Sequence, residues 1–156
     1  MQIHLIAVGE RMPAWVAEGF EEYAARMPRE CRLVLREVTA GRRTKGADLA
    51  RVARDEADKL LAAVPKHCRV VALDRQGREL TTQDLAGEIK KQMPLGEDLA
   101  LLVGGPEGLS AECLAQAHAR WSLSRLTLAH PLVRVVIAEQ VYRAWSILNN
   151  LPYHRA

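Results

Sequence analysis

The chain has 156 residues, of which 49% are hydrophobic and 26% charged, and it carries a formal net charge of +3. This length fits one domain over residues 1–156 with a hydrophobic core of its own, and no apolar run approaches the roughly 18 residues of a membrane span. The start, MQIHLIAVGE, lacks the basic region of a signal peptide. We therefore expect a cytoplasmic protein rather than a membrane protein.

The three cysteines do not indicate a disulfide framework or a metal site. Cys31, Cys68 and Cys113 are far apart in the sequence and form no C-x-x-C pair. Cysteines spaced in this way usually serve as small buried hydrophobic residues. The sequence therefore predicts three buried thiols and no bound metal.

Positive charge is concentrated in two segments of the chain. Residues 31–54 hold seven Arg or Lys against two acids, and residues 120–156 hold five Arg against one Glu. The rest of the chain is therefore acidic. Such asymmetry favours a polyanionic partner, although ordinary solvated faces with long aliphatic stems would give the same pattern.

The first half of the chain alternates strand and helix signals. The apolar run at residues 3–8 predicts a strand, and the amphipathic stretch opened by Pro13 predicts a helix. RLVLREV, at residues 32–38, alternates as a strand does, and AGRRTKG, at residues 40–46, is a loop by its glycines. A second helix is predicted over residues 47–64.

The third strand and helix follow in the middle of the chain. VVALD, at residues 70–74, predicts a buried strand that ends in the turn RQGRE. Thr81 or Thr82 is the expected N-cap of a helix that reaches Met93.

The last third of the chain carries two more strand and helix pairs. LALLVG, at residues 99–104, predicts a buried strand, and Ser110 is expected to cap a helix that ends near Arg120. LSRLTL, at residues 123–128, predicts a short strand, and Pro131 lies in the favoured first turn of a long final helix.

Five such pairs, with strands apolar on both sides, predict an α/β fold with a mainly parallel sheet and helices on both faces. The final helix has little polar face, and a helix that is apolar nearly all round requires burial on more than one side. In a domain of this size the second side is readily supplied by another subunit. The helix therefore favours a homodimer over a fully internal element.

The glycine-rich turn GGPEG, at residues 104–108, directly follows a predicted strand. Ligands of parallel sheets bind at the carboxyl ends of strands. The turn is not a P-loop, because it holds Glu107 where that motif requires a lysine. Glycines without a lysine still let the backbone approach an uncharged ring such as adenine, and a plain strand-to-helix turn capped by Ser110 is the alternative.

A second polar loop leads into the final helix. It carries the hydroxyls of Ser124 and Thr127 among three leucines and then turns through His130. If both loops follow neighbouring strands, they face one pocket.

Four stretches together resemble one family of enzymes. LLVGGPEGLS, AGRRTKGADLAR, WSLSRLTLAHPLVRVVIAEQVYRAWSILNN and the ending PYHR closely resemble the bacterial ribosomal RNA large-subunit methyltransferase H family of the SPOUT superfamily. The resemblance covers the whole chain, although residues 79–97 match only in pattern. It implies transfer of a methyl group from S-adenosylmethionine to N3 of a pseudouridine in 23S rRNA of the assembled 70S ribosome, and a carboxy-terminal trefoil knot.

The resemblance also implies where S-adenosylmethionine binds. In this sequence the family's cofactor contacts fall on the end of one predicted strand, on the glycine turn and on the second polar loop: Leu73, Gly104, Leu123, Ser124, Arg125, Leu126, Thr127 and Leu128. Leucines can enclose the adenine while main-chain groups bond its edge. A side chain at Gly104 is expected to occupy the ligand's space.

Methylation at N3 requires the removal of one proton, and four residues are candidates for the catalytic chemistry. They are His130 and the tail residues Tyr153, His154 and Arg155, and the tail is expected to leave its own subunit and complete the partner's active site. For His130, an orienting hydrogen bond at the helix start is an equally good interpretation, and a frayed end is the alternative for the tail.

Two further sets of charged residues receive other roles. Arg134 and Glu139 are predicted to form a buried structural pair across the dimer. Arg42, Arg43 and Lys45 are predicted to contact ribosomal RNA phosphates.

Two other functions also agree with part of the sequence. A nucleotide-binding α/β enzyme of another kind would explain the alternation and the glycine turn, but not the basic segments. A non-catalytic ribosome-associated RNA-binding protein would explain the basic segments, but it would not need a cofactor pocket.

Overall fold

The computed structural model describes residues 1–155. Its centre is a five-stranded sheet in the order β2-β1-β4-β3-β5, with every neighbouring pair parallel. The strands are β1 (Gln2–Val8), β2 (Arg32–Val38), β3 (Cys68–Glu79), β4 (Asp98–Val103) and β5 (Ala119–Ser122). The helices are α1 (Ala14–Ala24), α2 (Leu49–Ala62), α3 (Thr82–Gln92), α4 (Ala111–Gln116) and α5 (His130–Leu148), with short 3-10 turns at Met93–Leu95 and Pro152–His154.

Helices cover both faces of the sheet. On one face α5 packs between α1 and α3, and on the other α2 packs beside α4. Alternate residues of the central strands fill the two cores, as Leu5 does on the first face and Ile6 on the second. The predicted α/β fold with a parallel sheet and helices on both faces is confirmed.

The helix starts follow from local chemistry. The Asp48 side chain accepts a hydrogen bond from the backbone N–H of Arg51, and Ser110 accepts one from Cys113. Thr81 forms a reciprocal capping box with Asp84. Each contact satisfies a backbone donor that the first helical turn leaves unpaired. Thr81, rather than Thr82, is therefore the cap of α3.

Three predicted elements were wrong. RQGRE is not a turn, because β3 continues through it with a register shift between Leu73 and Arg78 along β5. A Cβ at Gly77 would lie 2.7 Å from the carbonyl carbon of Arg120, so this glycine permits a close strand approach instead of a reversal. The other two differences concern the end of the chain's fourth helix and the fifth strand. The helix α4 ends at Gln116 rather than near Arg120, and LSRLTL is a loop that follows β5.

Two of the three cysteines are buried as predicted. Burial raises the pKa of Cys31 and of Cys113 to about 11, which leaves both thiols protonated at neutral pH. Cys68 is half-buried instead. Among residues 1–155, none of the helices combines the length and the apolar character needed to cross a bilayer.

Candidate active site at the carboxyl ends of the strands

A cleft of about 120 Å³ opens where β4 and β5 end and β3 changes register. Six of the eight predicted cofactor contacts line it, whereas Gly104 and Arg125 do not. Its walls are mainly apolar with a few polar groups, which is typical of sites that bind a nucleoside. The lining consists of Leu73, Asp74, Arg75, Val103, Trp121, Ser122, Leu123, Ser124, Leu126, Thr127, Leu128 and Val133.

A second cavity of about 350 Å³ adjoins this cleft between α3 and α5. The two share the side chains of Leu73, Trp121 and Leu123 as a common wall. Ligand sites usually enclose roughly 300 to 1,000 Å³. A nucleoside-sized ligand therefore requires room from the second cavity or an outward movement of the loop over the cleft, where Leu126 is 75% exposed.

The loop at residues 123–128 is held by its own polar side chains. Ser124 Oγ accepts a hydrogen bond from the Leu126 N–H at 2.9 Å, and Ser122 Oγ donates one to the Ser124 carbonyl at 3.1 Å. Arg75 donates to Thr127 Oγ1 at 3.0 Å across the mouth of the cleft. These contacts give the loop a defined shape while its leucines face the cavity.

Gly104 is required by the turn itself, and its predicted contact with the cofactor stays a prediction. A Cβ at this position would lie 2.6 Å from the carbonyl carbon of Gly108, so a side chain would collide with the turn itself before it met a ligand. Gly108, at φ +77°, adopts the left-handed conformation that favours glycine, and its N–H donates to the Gly105 carbonyl at 2.9 Å. The glycines therefore fold the turn tightly at the end of β4.

His130 fastens the glycine turn to the start of α5. Its Nδ1 lies 3.1 Å from the Gly104 carbonyl, and its Nε2 lies 3.1 Å from Nη2 of Arg134. Because a guanidinium can only donate, Nε2 is the acceptor and Nδ1–H donates to the carbonyl. Burial and the Arg134 charge both lower the pKa of His130, which favours this neutral form. Both ring nitrogens are thus engaged within the chain.

Arg134 is fully buried and connects α5 to β1 and β2. It pairs with Glu37, 97 residues away, and donates to the carbonyls of Val8 and Gly9 at 3.2 and 2.8 Å. The predicted pair between Arg134 and Glu139 was therefore wrong, because Glu37 of the same chain satisfies the arginine. This network fixes the start of α5 against the ends of β1 and β2.

Comparison with known proteins identifies the family to which this fold and site belong. The profile of the family described as "Predicted SPOUT methyltransferase" matches residues 1–154. The chain belongs to the SPOUT methyltransferase family. It is 59% identical over 155 residues to a protein of Thioalkalivibrio sulfidiphilus, with 99% of each chain covered, and 54% identical to one of Methylococcus capsulatus, with 99% and 100% covered. Both relatives are named ribosomal RNA large subunit methyltransferase H.

Two solved structures share the fold at low sequence identity. A putative methylase family protein from Neisseria gonorrhoeae has a TM-score of 0.54 at 14% identity, with 90% of this chain and 81% of that chain covered. A probable methylase family protein from Haemophilus influenzae has a TM-score of 0.55 at 14% identity, with 95% and 66% covered. A SPOUT methyltransferase requires a methyl donor, and the cleft beside the glycine turn is the candidate site for it.

The tail of this SPOUT chain packs on its own α5. Tyr153 donates a hydrogen bond to Glu139 at 2.9 Å, and its ring lies 4.8 Å from that of Tyr142. His154 Nδ1 lies 2.8 Å from Ser146 Oγ. Burial and the Glu139 contact raise the pKa of Tyr153 to about 12, so the phenol stays protonated at neutral pH. The sequence predicts a tail that leaves its own subunit's surface, whereas in the structure the tail packs on that surface.

His154 and the cleft lie toward opposite ends of α5. Ser146, which holds His154, is 16 residues beyond His130. At the helical rise this separation corresponds to about 24 Å. Tyr153 instead reaches back to Glu139 in the middle of the helix, nine residues or about 14 Å beyond His130.

Among the predicted RNA contacts, Arg43 differs from Arg42 and Lys45. Arg42 and Lys45 are exposed, whereas the Arg43 guanidinium bonds two carboxylates, those of Glu56 and Glu107. Since its donors already have strong acceptors, Arg43 is not a free cation for phosphate. The acid of the GGPEG turn, which distinguishes it from a P-loop, is therefore a partner of Arg43.

A cluster that the sequence did not indicate lies near the amino-terminal ends of the three central strands, away from the cleft. His4, Cys68 and Asp98 come from three neighbouring strands and place potential ligand atoms within 4.8 Å of one another. Asp98 already accepts hydrogen bonds from the Gln2 N–H at 2.9 Å and from His4 Nε2 at 3.1 Å. These bonds explain the grouping without an ion, and the absence of a bound metal stays a prediction.

Proposed function

We propose that this SPOUT methyltransferase transfers a methyl group from S-adenosylmethionine to N3 of a pseudouridine in 23S rRNA of the assembled 70S ribosome. The observation that carries the proposal is the mainly apolar cleft beside the glycine turn, in which six residues expected to contact the cofactor meet from two separate segments. The names of the full-length relatives support ribosomal RNA as the substrate class.

The cofactor would be held by Leu73, Leu123, Ser124, Leu126, Thr127 and Leu128. When bound, it supplies a methyl group on a positively charged sulfur. The leucines enclose the adenosine part, and main-chain groups of the loop discriminate its polar edge. Gly104 and His130 would support the cofactor site, because the hydrogen bond between them holds the glycine turn beside the cleft. Arg125 is highly exposed and lies 3.7 Å from Glu79, at the rim.

Methyl transfer to N3 is an in-line displacement in which the bond between carbon and sulfur breaks as the bond between nitrogen and carbon forms. The proton on N3 must pass to a base, and the protein mainly orients the two reactants. His130 cannot take this proton while Arg134 occupies its Nε2. We therefore assign His130 a positioning role and propose His154 of the tail as the group that takes the proton, with Arg155 balancing charge on the base and the Tyr153 ring available to stack on it.

We infer that the tail serves the cleft of a partner subunit, because His154 is held at the far end of its own α5. An antiparallel pairing of two α5 helices about a two-fold axis brings the carboxyl end of one beside the amino end of the other. Exposed apolar residues support such a homodimer, since Trp15 on α1 and Leu132 on α5 are 51% and 41% exposed. Gly19 of α1 packs against Val135 of α5. Trp15 precedes Gly19, and Leu132 precedes Val135, by about one helical turn, so the two exposed side chains lie on one surface.

The basic loop, residues 39–48, would contact the ribosomal RNA backbone. Arg42 and Lys45 are the exposed cations of this loop, and phosphate contacts of this kind orient an enzyme on RNA without reading its sequence. The tail adds Arg155, which is also exposed. Arg43 supports the loop from within.

The proposal is tested by incubating the protein with ribosomes and isotopically labelled S-adenosylmethionine, followed by mass spectrometry of the nucleosides. We expect label in an N3-methylated pseudouridine from the large subunit. Ribosome binding without any labelled nucleoside would support a non-catalytic RNA-binding protein instead. Binding of NAD or ATP, but not of S-adenosylhomocysteine, would support another nucleotide-dependent enzyme.

A further inference from the structure

One guanidinium joins the two loops that the proposed reaction needs. The basic loop, residues 39–48, carries the exposed cations Arg42 and Lys45. The glycine turn, residues 104–108, directly follows Val103, which lines the cofactor cleft. Arg43 extends from the basic loop to the glycine turn. The two loops are far apart in the sequence, so this contact is a specific product of the fold.

The Arg43 side chain makes strong bonds on both sides. Its Nη1 and Nη2 donate to the two oxygens of Glu56 at 2.8 and 2.7 Å. Its Nε and Nη2 donate to Glu107 at 3.1 and 2.6 Å. Bidentate contacts between arginine and carboxylate are directional as well as strong. The hydrogen bonds from Arg43 lower the pKa of Glu107, so this carboxylate stays ionised near neutral pH.

Glu56 anchors this arrangement to α2. It is buried, and its Oε2 also accepts the backbone N–H of Gly41 at 2.8 Å, while Arg43 donates back to the Gly41 carbonyl at 3.2 Å. The basic loop is thereby held in a closed shape on the helix. A buried carboxylate without Arg43 would be left unpaired, so the arginine and the glutamate depend on each other.

The ion-pair cluster also touches the backbone of the glycine turn. A Cβ at Gly105 would lie 2.7 Å from Glu56 Oε1 and 2.8 Å from Arg43 Nη2. The turn therefore rests directly on the Arg43 and Glu56 side chains, besides being tied to them through Glu107. A displacement of the turn must displace Arg43, and with it the loop that carries Arg42 and Lys45.

We propose that Arg43 is a positioning residue through which methyl-donor binding at the glycine turn and phosphate binding by the basic loop strengthen each other. A ligand that orders the glycine turn also orders Arg43 and the basic loop. A second ligand that binds the basic loop then loses less conformational entropy and binds more tightly. Because linkage is reciprocal, the cofactor tightens RNA binding by the same factor by which RNA tightens cofactor binding. This inference rests on the proposed function.

The coupling is measured as a ratio of two dissociation constants. The affinity of the protein for 70S ribosomes is determined with and without saturating S-adenosylhomocysteine, and the affinity for S-adenosylhomocysteine is determined with and without ribosomes. We expect about a tenfold tightening in both directions, within the usual range of allosteric coupling. A ratio near one in the wild-type protein would overturn the inference.

Two substitutions separate the positioning role from a phosphate contact. Glu107→Gln removes one arm of the cluster at an exposed site, and Arg43→Lys keeps the positive charge but cannot bridge two carboxylates with a planar group. Both should reduce the coupling ratio to near one. If Arg43 instead binds phosphate, Arg43→Lys would retain the ratio and Glu107→Gln would tighten ribosome binding with or without cofactor, which would refute the role.

Arg42→Gln is the matched control, because it removes a neighbouring exposed cation and leaves the cluster intact. It should weaken ribosome binding equally in the presence and absence of S-adenosylhomocysteine, so the ratio is preserved. A wild-type protein that methylates ribosomes but shows no coupling would contradict this inference alone. A protein that transfers no methyl group to ribosomes would contradict the proposed function as well.

Discussion

The two ends of α5 carry networks of similar residues, arginine with glutamate and a histidine nearby, but they differ in burial. At the amino end Arg134 is fully buried and bonds Glu37 and two backbone carbonyls. In the second half of the helix Arg143 is half-buried, at 24% exposure, and bonds Glu139, its neighbour four residues earlier on the helix. The fully buried network fixes the start of α5 in one geometry, whereas the half-buried one is open enough for its contacts to be exchanged for contacts with a partner or RNA.

Removal of residues 153–156 should have the largest effect on activity. Loss of the proposed proton-handling groups should lower methylation of ribosomes by about 10²- to 10⁴-fold. Affinity for S-adenosylhomocysteine should be unchanged, because the cleft lies at the other end of α5. Full activity of the shortened chain would refute the role of the tail.

A mixed dimer shows whether the tail acts on the partner. A chain without residues 153–156 is paired with a chain whose cleft is obstructed by Leu128→Arg. Activity should return in the mixed dimer, because one intact cleft then meets one intact tail. An inactive mixed dimer would place the tail's action within its own subunit.

The buried end should dominate stability. Arg134→Met leaves Glu37 and the carbonyls of Val8 and Gly9 without their donor, at a cost of about 3–5 kcal/mol in the free energy of unfolding. Arg143→Met is the matched change at the half-buried network, and it should cost less than Arg134→Met because water can reach the groups that it leaves unpaired. Urea denaturation measures both, and equal losses would contradict the difference in burial.

The exposed surface that begins at Leu132 should control assembly. Leu132→Asp places a charge in the proposed interface, which should weaken dimerisation by roughly 2 kcal/mol or more. Leu49→Asp is the control, because Leu49 is similarly exposed, at 46% against 41%, but lies on α2 on the opposite face of the sheet. Light scattering should detect monomers only for the first variant. Ile137, in contrast, is buried in its own chain's core and does not report on the interface.

His130 should give the smallest effect, a pH dependence of stability. Its pKa is lowered in the folded state, so the unfolded chain binds the proton more readily. The contribution to stability is complete above the ordinary pKa of about 6.5 and is lost as the pH falls below it. His130→Gln keeps both hydrogen bonds without a titratable group. The variant should therefore lose less stability than the parent between pH 7 and pH 5, and identical slopes would contradict the assignment.

Much of the fold could be predicted because its signals are local. The apolar runs of β1 and β4, and the caps Thr81 and Ser110, were recognised from a few neighbouring residues. The errors arose where a local signal had a non-local cause. Gly77 resembled a turn residue, but it is required because β5 passes close to its backbone.

The candidate site likewise contains residues that the sequence indicates and residues whose roles depend on distant partners. The cleft residues from Leu123 to Leu128 were indicated by the resemblance and meet the glycine turn through the order of the strands. The partners of Arg43 and Arg134 lie as far as 64 and 97 residues away. No spacing rule connects such residues, so only the folded chain shows that Arg43 is a tether and that Arg134 belongs with Glu37. The trefoil knot stays a prediction.

β4 lies between β1 and β3, although it is the fourth strand to be synthesised. Until Asp98–Val103 has left the ribosomal exit tunnel, β1 and β3 each keep a row of unpaired backbone groups along the edge that β4 later occupies. Nascent chains with such edges pair readily with other chains. A pause in translation that leaves β3 but not β4 outside the tunnel should therefore expose this protein to aggregation, whereas a pause that leaves both strands outside should not.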